Sequence, residues 1–223
     1  MEINVDYENG SNRDAGDTYA SRGSNIVLLG AMGSGKSTVG WLLARTLGYG
    51  FIDFDHVISV RAKKSIPEIF EELGEEAFRK LERDLVASLT GIRSHVLSVG
   101  GGTVMDDESW QLLARMGTTV WLNPPPEEIA RRLGQNDGEL TKRPLLAELA
   151  AHKDKETRHK LLSERMKALV GNRSERYREA RVVISDSFST PESTALLVKD
   201  TLQREGALTI SKDHKPYDRW GIL

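Results

Sequence analysis

Apolar positions recur along the chain with two different periods. Ile26-Val27-Leu28-Leu29 is a wholly apolar run that stops at Gly30, the pattern of a strand buried on both faces. Val39, Leu42, Leu43 and Leu47 then recur at helical spacing, and Gly48 closes that segment as a C-cap glycine does. Phe51-Ile52-Asp53-Phe54 predicts a second strand. A polar helical stretch follows from His56 to Ser88, broken near Lys64 and Gly74. His95-Val96-Leu97-Ser98-Val99 predicts a third strand, ended by Gly100-Gly101-Gly102, and Thr119-Val120-Trp121-Leu122 and Val182-Val183-Ile184 predict two more. Helical segments at about 106–115, 127–133 and 155–170 separate them, and a last helix begins at Pro191 with Ala195, Val198 and Leu202 on one face. Strands alternating with helices predict an α/β fold with a parallel sheet covered on both sides.

Composition narrows the class. The 223 residues are 39% apolar, carry a formal net charge of −2 and contain no cysteine, so disulfides and thiolate metal sites are excluded. No apolar run approaches the roughly 18 residues of a membrane span, and the N-terminus has neither a basic region nor an apolar stretch. A soluble, cytoplasmic protein is expected, with no membrane partner. A near-neutral charge also speaks against a nucleic-acid partner. Residues 1–24 sum to −3 and lack any period, so they read as a disordered tail, while 204–223 sum to +1 and read as a loosely docked tail. The domain is therefore expected over 25–203.

The first candidate chemistry lies in Gly30-Ala31-Met32-Gly33-Ser34-Gly35-Lys36-Ser37, which matches G-x-x-x-x-G-K-[ST] directly after a buried strand and before a helix. Glycines let the backbone curl so that successive N–H groups face phosphate oxygens, and the helix N-terminus adds partial positive charge. Lys36 can reach the β- and γ-phosphates, and the Ser37 hydroxyl can ligate Mg²⁺. A nucleoside triphosphate is the expected ligand. The third strand ends in glycines and offers no carboxylate, so Asp53 and Asp55 become the acidic candidates. If the chain stays extended there, both point one way and Phe54 the other. One could sit beside Mg²⁺ and the other take a hydroxyl proton. The competing reading makes Asp53 a helix N-cap and Asp55 a turn residue. His56 beside Asp55 offers only a weak case for a dyad, because chain neighbours rarely face each other.

Further motifs follow in order: Ile69-Phe70, Gly74-Glu75, Phe78-Arg79-Lys80-Leu81-Glu82, the glycine triplet, Arg143-Pro144-Leu145-Leu146, and Arg173 four residues before Tyr177 with Glu179-Ala180 beyond. Together with Gly30 to Thr38 and Phe51 to Asp55, they make the chain resemble the shikimate kinase family over most of 25–203. The resemblance implies a three-layer α-β-α P-loop kinase fold with a mostly parallel five-stranded sheet and a mobile lid at about 134–146. It implies phosphorylation of the 3-hydroxyl of shikimate, with ATP as co-substrate, Mg²⁺ as cofactor and a monomer as the working form. Asp55, Lys36 and Arg143 would be catalytic. ATP would meet Gly33, Ser34, Gly35, Lys36, Ser37, Thr38, Arg132 and Arg143. The substrate would meet Asp55, Arg79, Gly100, Gly101, Gly102 and Arg173, whose guanidinium forks suit its carboxylate. Mg²⁺ would rest on Ser37 with Asp53 nearby. Gly101 would let the backbone approach the substrate, and Glu82, three residues after Arg79 on a helix, could hold that guanidinium.

Several alternatives stay open at this level. Arg79 and Glu82 could be a surface ion pair, 134–146 an ordinary polar loop, and Arg131 could replace Arg132. The highly charged stretch after Leu146 predicts a solvated helix and makes Arg165 a rival to Arg173. A kinase for another hydroxy acid such as gluconate, or a non-catalytic sensor of a carboxylic ligand and ATP, are the rival functions.

Overall fold

The computed structural model describes residues 24–135, 138, 140, 143–146, 148–149, 154–185 and 190–208. The tails 1–23 and 209–223, and positions 136, 137, 139, 141 and 142 of the expected lid, lie outside the described residues.

Five strands form one sheet: β1 (Asn25–Leu29), β2 (Gly50–Asp53), β3 (His95–Ser98), β4 (Gly117–Leu122) and β5 (Val182–Ile184). Their spatial order is β2-β3-β1-β4-β5, and all four pairings are parallel. Seven α-helices accompany them among the described residues. These are α1 (Lys36–Leu47), α2 (Phe54–Ala62), α3 (Ile66–Ser88), α4 (Asp107–Met116), α5 (Pro126–Gly134), α6 (Lys155–Arg178) and α7 (Pro191–Arg204).

Strand alternation divides the core into two faces. Ile26 and Leu28 join Val39, Leu43 and Leu47 of α1 and Val198 and Leu202 of α7 on one side. Val27 and Leu29 join Phe54 and Ile58 of α2, Leu85 and Val86 of α3 and Leu113 of α4 on the other. This is the three-layer α-β-α arrangement. A third cluster lies beside it, where Ile129 and Leu133 of α5 and Leu162 and Met166 of α6 enclose Leu140, Leu146 and Leu149. Leu140 and Leu146, in the segment expected to be a lid, are thus buried against these two helices. Helix α6 is solvated over most of its surface, as its charge predicts, but buries Leu162, Met166 and Tyr177. Past α7 the packing continues through Leu208, whose backbone N–H donates to the Leu202 carbonyl and whose side chain joins the α1–α7 face.

The helical breaks fall where the sequence placed them. Lys63 ends α2 in the left-handed conformation, Ser65 and Glu68 form a reciprocal capping box at the start of α3, and Gly74 interrupts α3 at φ 80°, ψ 171°.

Candidate active site

The C-terminal ends of β1, β2 and β3 deliver their following turns to one cleft of about 690 Å³, where an open parallel sheet places ligand sites. The turn after β1 supplies Gly33, Ser34, Gly35, Lys36, Ser37 and Thr38 to its wall. Gly33 and Gly35 have φ of 75° and 97°, which the curled loop requires and which side-chain-bearing residues rarely adopt. A Cβ at Gly33 would also press on Leu133 and Ile129 of α5. Lys36 donates to the Gly30 and Ala31 carbonyl oxygens at 2.8 and 3.0 Å. Burial lowers its pKa to about 8, against the opposing pull of Asp55 and Asp53.

Asp53 and Asp55 both line the cleft, but not through strand alternation. Strand β2 stops at Asp53, and Phe54 opens α2, so Asp55 stands in the first helical turn. Asp53 is the N-cap: its Oδ1 accepts from the His56 backbone N–H at 3.3 Å. The capping reading and the cleft reading therefore hold together. Phe54 is fully buried in the core, pointing away from the cleft. Asp55 is open to water in the cleft yet surrounded by protein. Burial raises its pKa, as does Asp53, while Lys36 and Arg143 partly offset this.

Helix α3 and the glycine turn form the opposite wall. Phe78 is stacked near Phe70, with ring centroids 4.7 Å apart, and the Arg79 guanidinium lies 5.4 Å from the Phe78 ring. Arg79 donates to Glu82 at 2.6 Å and to Glu75 at 2.8 Å. Glu82 is only 2% exposed, which removes the surface-pair alternative for Arg79 and Glu82. Each glycine of the triplet accommodates a different charged group: a Cβ on Gly100 would meet Glu82, one on Gly101 would meet Arg173 at 2.8 Å, and one on Gly102 would meet Arg79. Arg173 projects from α6 into the same cleft. Arg165 instead donates to the Leu145 carbonyl at 3.4 Å and pairs with Glu148.

At the other end, Arg132 lines the cleft near Gly35 and donates to Glu128 at 2.8 Å. Arg131 grips the same carboxylate through two nitrogens, and these hydrogen bonds draw Glu128 down to about 2. Arg143 reaches the cleft between two buried leucines: its backbone N–H donates to Leu140 and its carbonyl accepts from Leu146. Its charge is felt at both Lys36 and Asp55. Three residues that hold this architecture carried no role in the sequence. Glu128 could have been found from its i,i+3 and i,i+4 spacing to Arg131 and Arg132. Thr103 had no local signal, because its partner Glu82 comes from another element, and the spacing of Tyr177 to Arg173 gave no sign of its bond to Gly101.

A family profile described as shikimate kinase matches residues 32–203. A shikimate kinase from Synechococcus sp. (strain RCC307) is 52% identical over 126 residues, 56% of this chain; the chain spans only 63% of that relative's length. A shikimate kinase from Chlorobium phaeovibrioides is 35% identical over 197 residues, covering 86% of this chain and 96% of the relative. Among solved structures, the shikimate kinase from Acinetobacter baumannii in complex with shikimate superposes with a TM-score of 0.70 at 31% identity, covering 82% of this chain and 94% of that one.

Proposed function

Because the chain belongs to the shikimate kinase family, we propose that it transfers the γ-phosphoryl group of ATP to the 3-hydroxyl of shikimate. The observation that carries this reading is the convergence, in one cleft, of a phosphate loop, a pair of arginines and Asp55. The loop and Lys36 hold the triphosphate, and Arg132 flanks the nucleotide. Arg79 and Arg173 take the carboxylate of shikimate, and the Gly100–Gly102 backbone lies against its ring. Asp55 accepts the proton of the 3-hydroxyl as that oxygen bonds to the γ-phosphorus and the bond to the β-phosphate oxygen breaks, releasing ADP. Lys36 and Arg143 stabilise the charge on the transferring group.

Mg²⁺ fits the donors present. Among the described residues no three His, Cys, Asp or Glu side chains cluster as a dedicated metal cage, whereas the Ser37 hydroxyl and the Asp53 carboxylate border the phosphate loop. Mg²⁺ is commonly bound by so few protein groups, with phosphates and water completing its shell. Ser37 and Asp53 would hold it, and it would supply positive charge to offset that of the phosphates.

Coupled measurement of ADP release tests the function. MgATP with shikimate should yield ADP and shikimate 3-phosphate in equal amounts, and gluconate should not replace shikimate. ADP release indifferent to shikimate overturns the proposal, and binding of both ligands without turnover identifies a sensor.

A further inference from the structure

Two buried hydroxyls stand behind the arginine pair. Thr103, 2% exposed, opens the short helical turn Thr103–Met105 directly after the glycines. Its Oγ1 donates to Glu82 Oε1 at 2.5 Å. The other oxygen, Oε2, accepts from Arg79. Both oxygens of this buried carboxylate are thus engaged by groups from different elements, and the orientation of Arg79 depends on both. Tyr177 is fully buried on the last turn of α6, its ring 5.5 Å from Trp121 of β4. Its hydroxyl donates to the Gly101 carbonyl at 2.7 Å and its oxygen interacts with the Arg173 guanidinium. One atom therefore ties the middle of the glycine turn to the second arginine.

We propose that Thr103, acting through Glu82, and Tyr177, acting on Arg173 and Gly101, are positioning residues that preorganise the two arginines for an anionic substrate group. The inference rests on the reading of Arg79 and Arg173 as the carboxylate-binding pair. The chemistry of the anchors supports it. A second carboxylate behind Arg173 would cancel the charge that a ligand must meet, whereas a phenol oxygen orients the guanidinium and leaves its charge intact. Thr103 likewise adds no charge, but stops the Glu82 carboxylate from rotating. Fixing both guanidiniums before binding spares the ligand the cost of ordering them.

Tyr177→Phe and Thr103→Val each remove one hydroxyl while keeping nearly all of the packing. Each should raise the KM for shikimate by about tenfold, the size expected for hydrogen bonds to charged groups. The KM for ATP and the thermal midpoint should change little, and Thr103→Ser should behave as the parent chain does. Positioning through the arginines also requires non-additivity: Tyr177→Phe should add no further loss to Arg173→Ala, nor Thr103→Val to Arg79→Ala. Unchanged KM for shikimate in both hydroxyl variants, or additive losses in both double variants, overturns the inference while leaving the arginine assignment standing. Unchanged shikimate KM in Arg79→Ala and Arg173→Ala overturns both. If Tyr177→Phe does not fold, the Thr103 series decides alone.

Discussion

Lys36 shows how a single side chain can be costly to the fold and necessary to the site. Its folded pKa, about 8, lies below the ordinary 10.5, so the folded chain binds its proton less tightly than the unfolded chain does. Below pH 8 the amine is charged in both states and the whole cost of burying it is present, about 3 kcal/mol from the difference between the two values. As pH rises from 8 towards 10.5 the folded state sheds the proton first and that cost is relieved. Lys36→Met should therefore raise stability at pH 7 by about 1–3 kcal/mol, read as a higher denaturation midpoint, while abolishing phosphoryl transfer. The same groups shape the pH profile. For the free enzyme, kcat/KM for ATP should decline on the alkaline side near pH 8 as Lys36 loses its charge. Its acid limb should lie above the usual aspartate range, because burial and Asp53 hold Asp55 protonated longer. An alkaline limb absent below pH 10 would contradict the Lys36 part.

At the level of elements, helix α3 is the most informative. Its first half sends Ile66 and Phe70 to the cleft and its second half sends Phe78, Arg79 and Glu82, so Gly74 between them sets how the two halves face the substrate. The φ of 80° with ψ of 171° belongs almost solely to glycine, although no atom within 4 Å obstructs a Cβ there. Gly74→Ala should therefore cost about 1–3 kcal/mol through backbone strain alone, lowering the thermal midpoint and raising the KM for shikimate more than that for ATP. The break itself was legible in the sequence, as were all five strands, because buried parallel strands leave uninterrupted apolar runs and glycine marks helix ends. What was not legible depended on register in space. An extended chain through Asp55 was expected, yet capping by Asp53 starts a helix at Phe54, two residues earlier than His56. The burial of Leu140 and Leu146 was not legible, since the groove that buries them is built by α5 and α6. The phosphate loop could be read in full because all its parts are contiguous. The bonds of Thr103 to Glu82 and of Tyr177 to Gly101 could not, because a hydroxyl carries no sign of a distant partner until the fold brings that partner near.

On the scale of the whole molecule, the central strand has a kinetic consequence. β1 carries the phosphate loop, and its neighbours are β3 and β4, whose paired residues lie about 70 and 90 positions further along the chain. No cleft exists until those closures are made, and the loop-closure entropy must be met before the contacts repay it. The proposed nucleotide and shikimate sites are thus assembled by long-range contacts. Ligands that recognise the finished cleft stabilise what is absent from an early folding barrier, so they should leave the refolding rate nearly unchanged and slow unfolding by a factor that grows with the ratio of free ligand to its Kd. Stopped-flow chevrons with and without MgATP and shikimate measure this directly: a shifted unfolding limb with a stationary refolding limb is expected, and an accelerated refolding limb would mean that the cleft forms early. In a cell, substrate supply would then act as a clock on the lifetime of the folded enzyme, while leaving the time needed to make it unaltered.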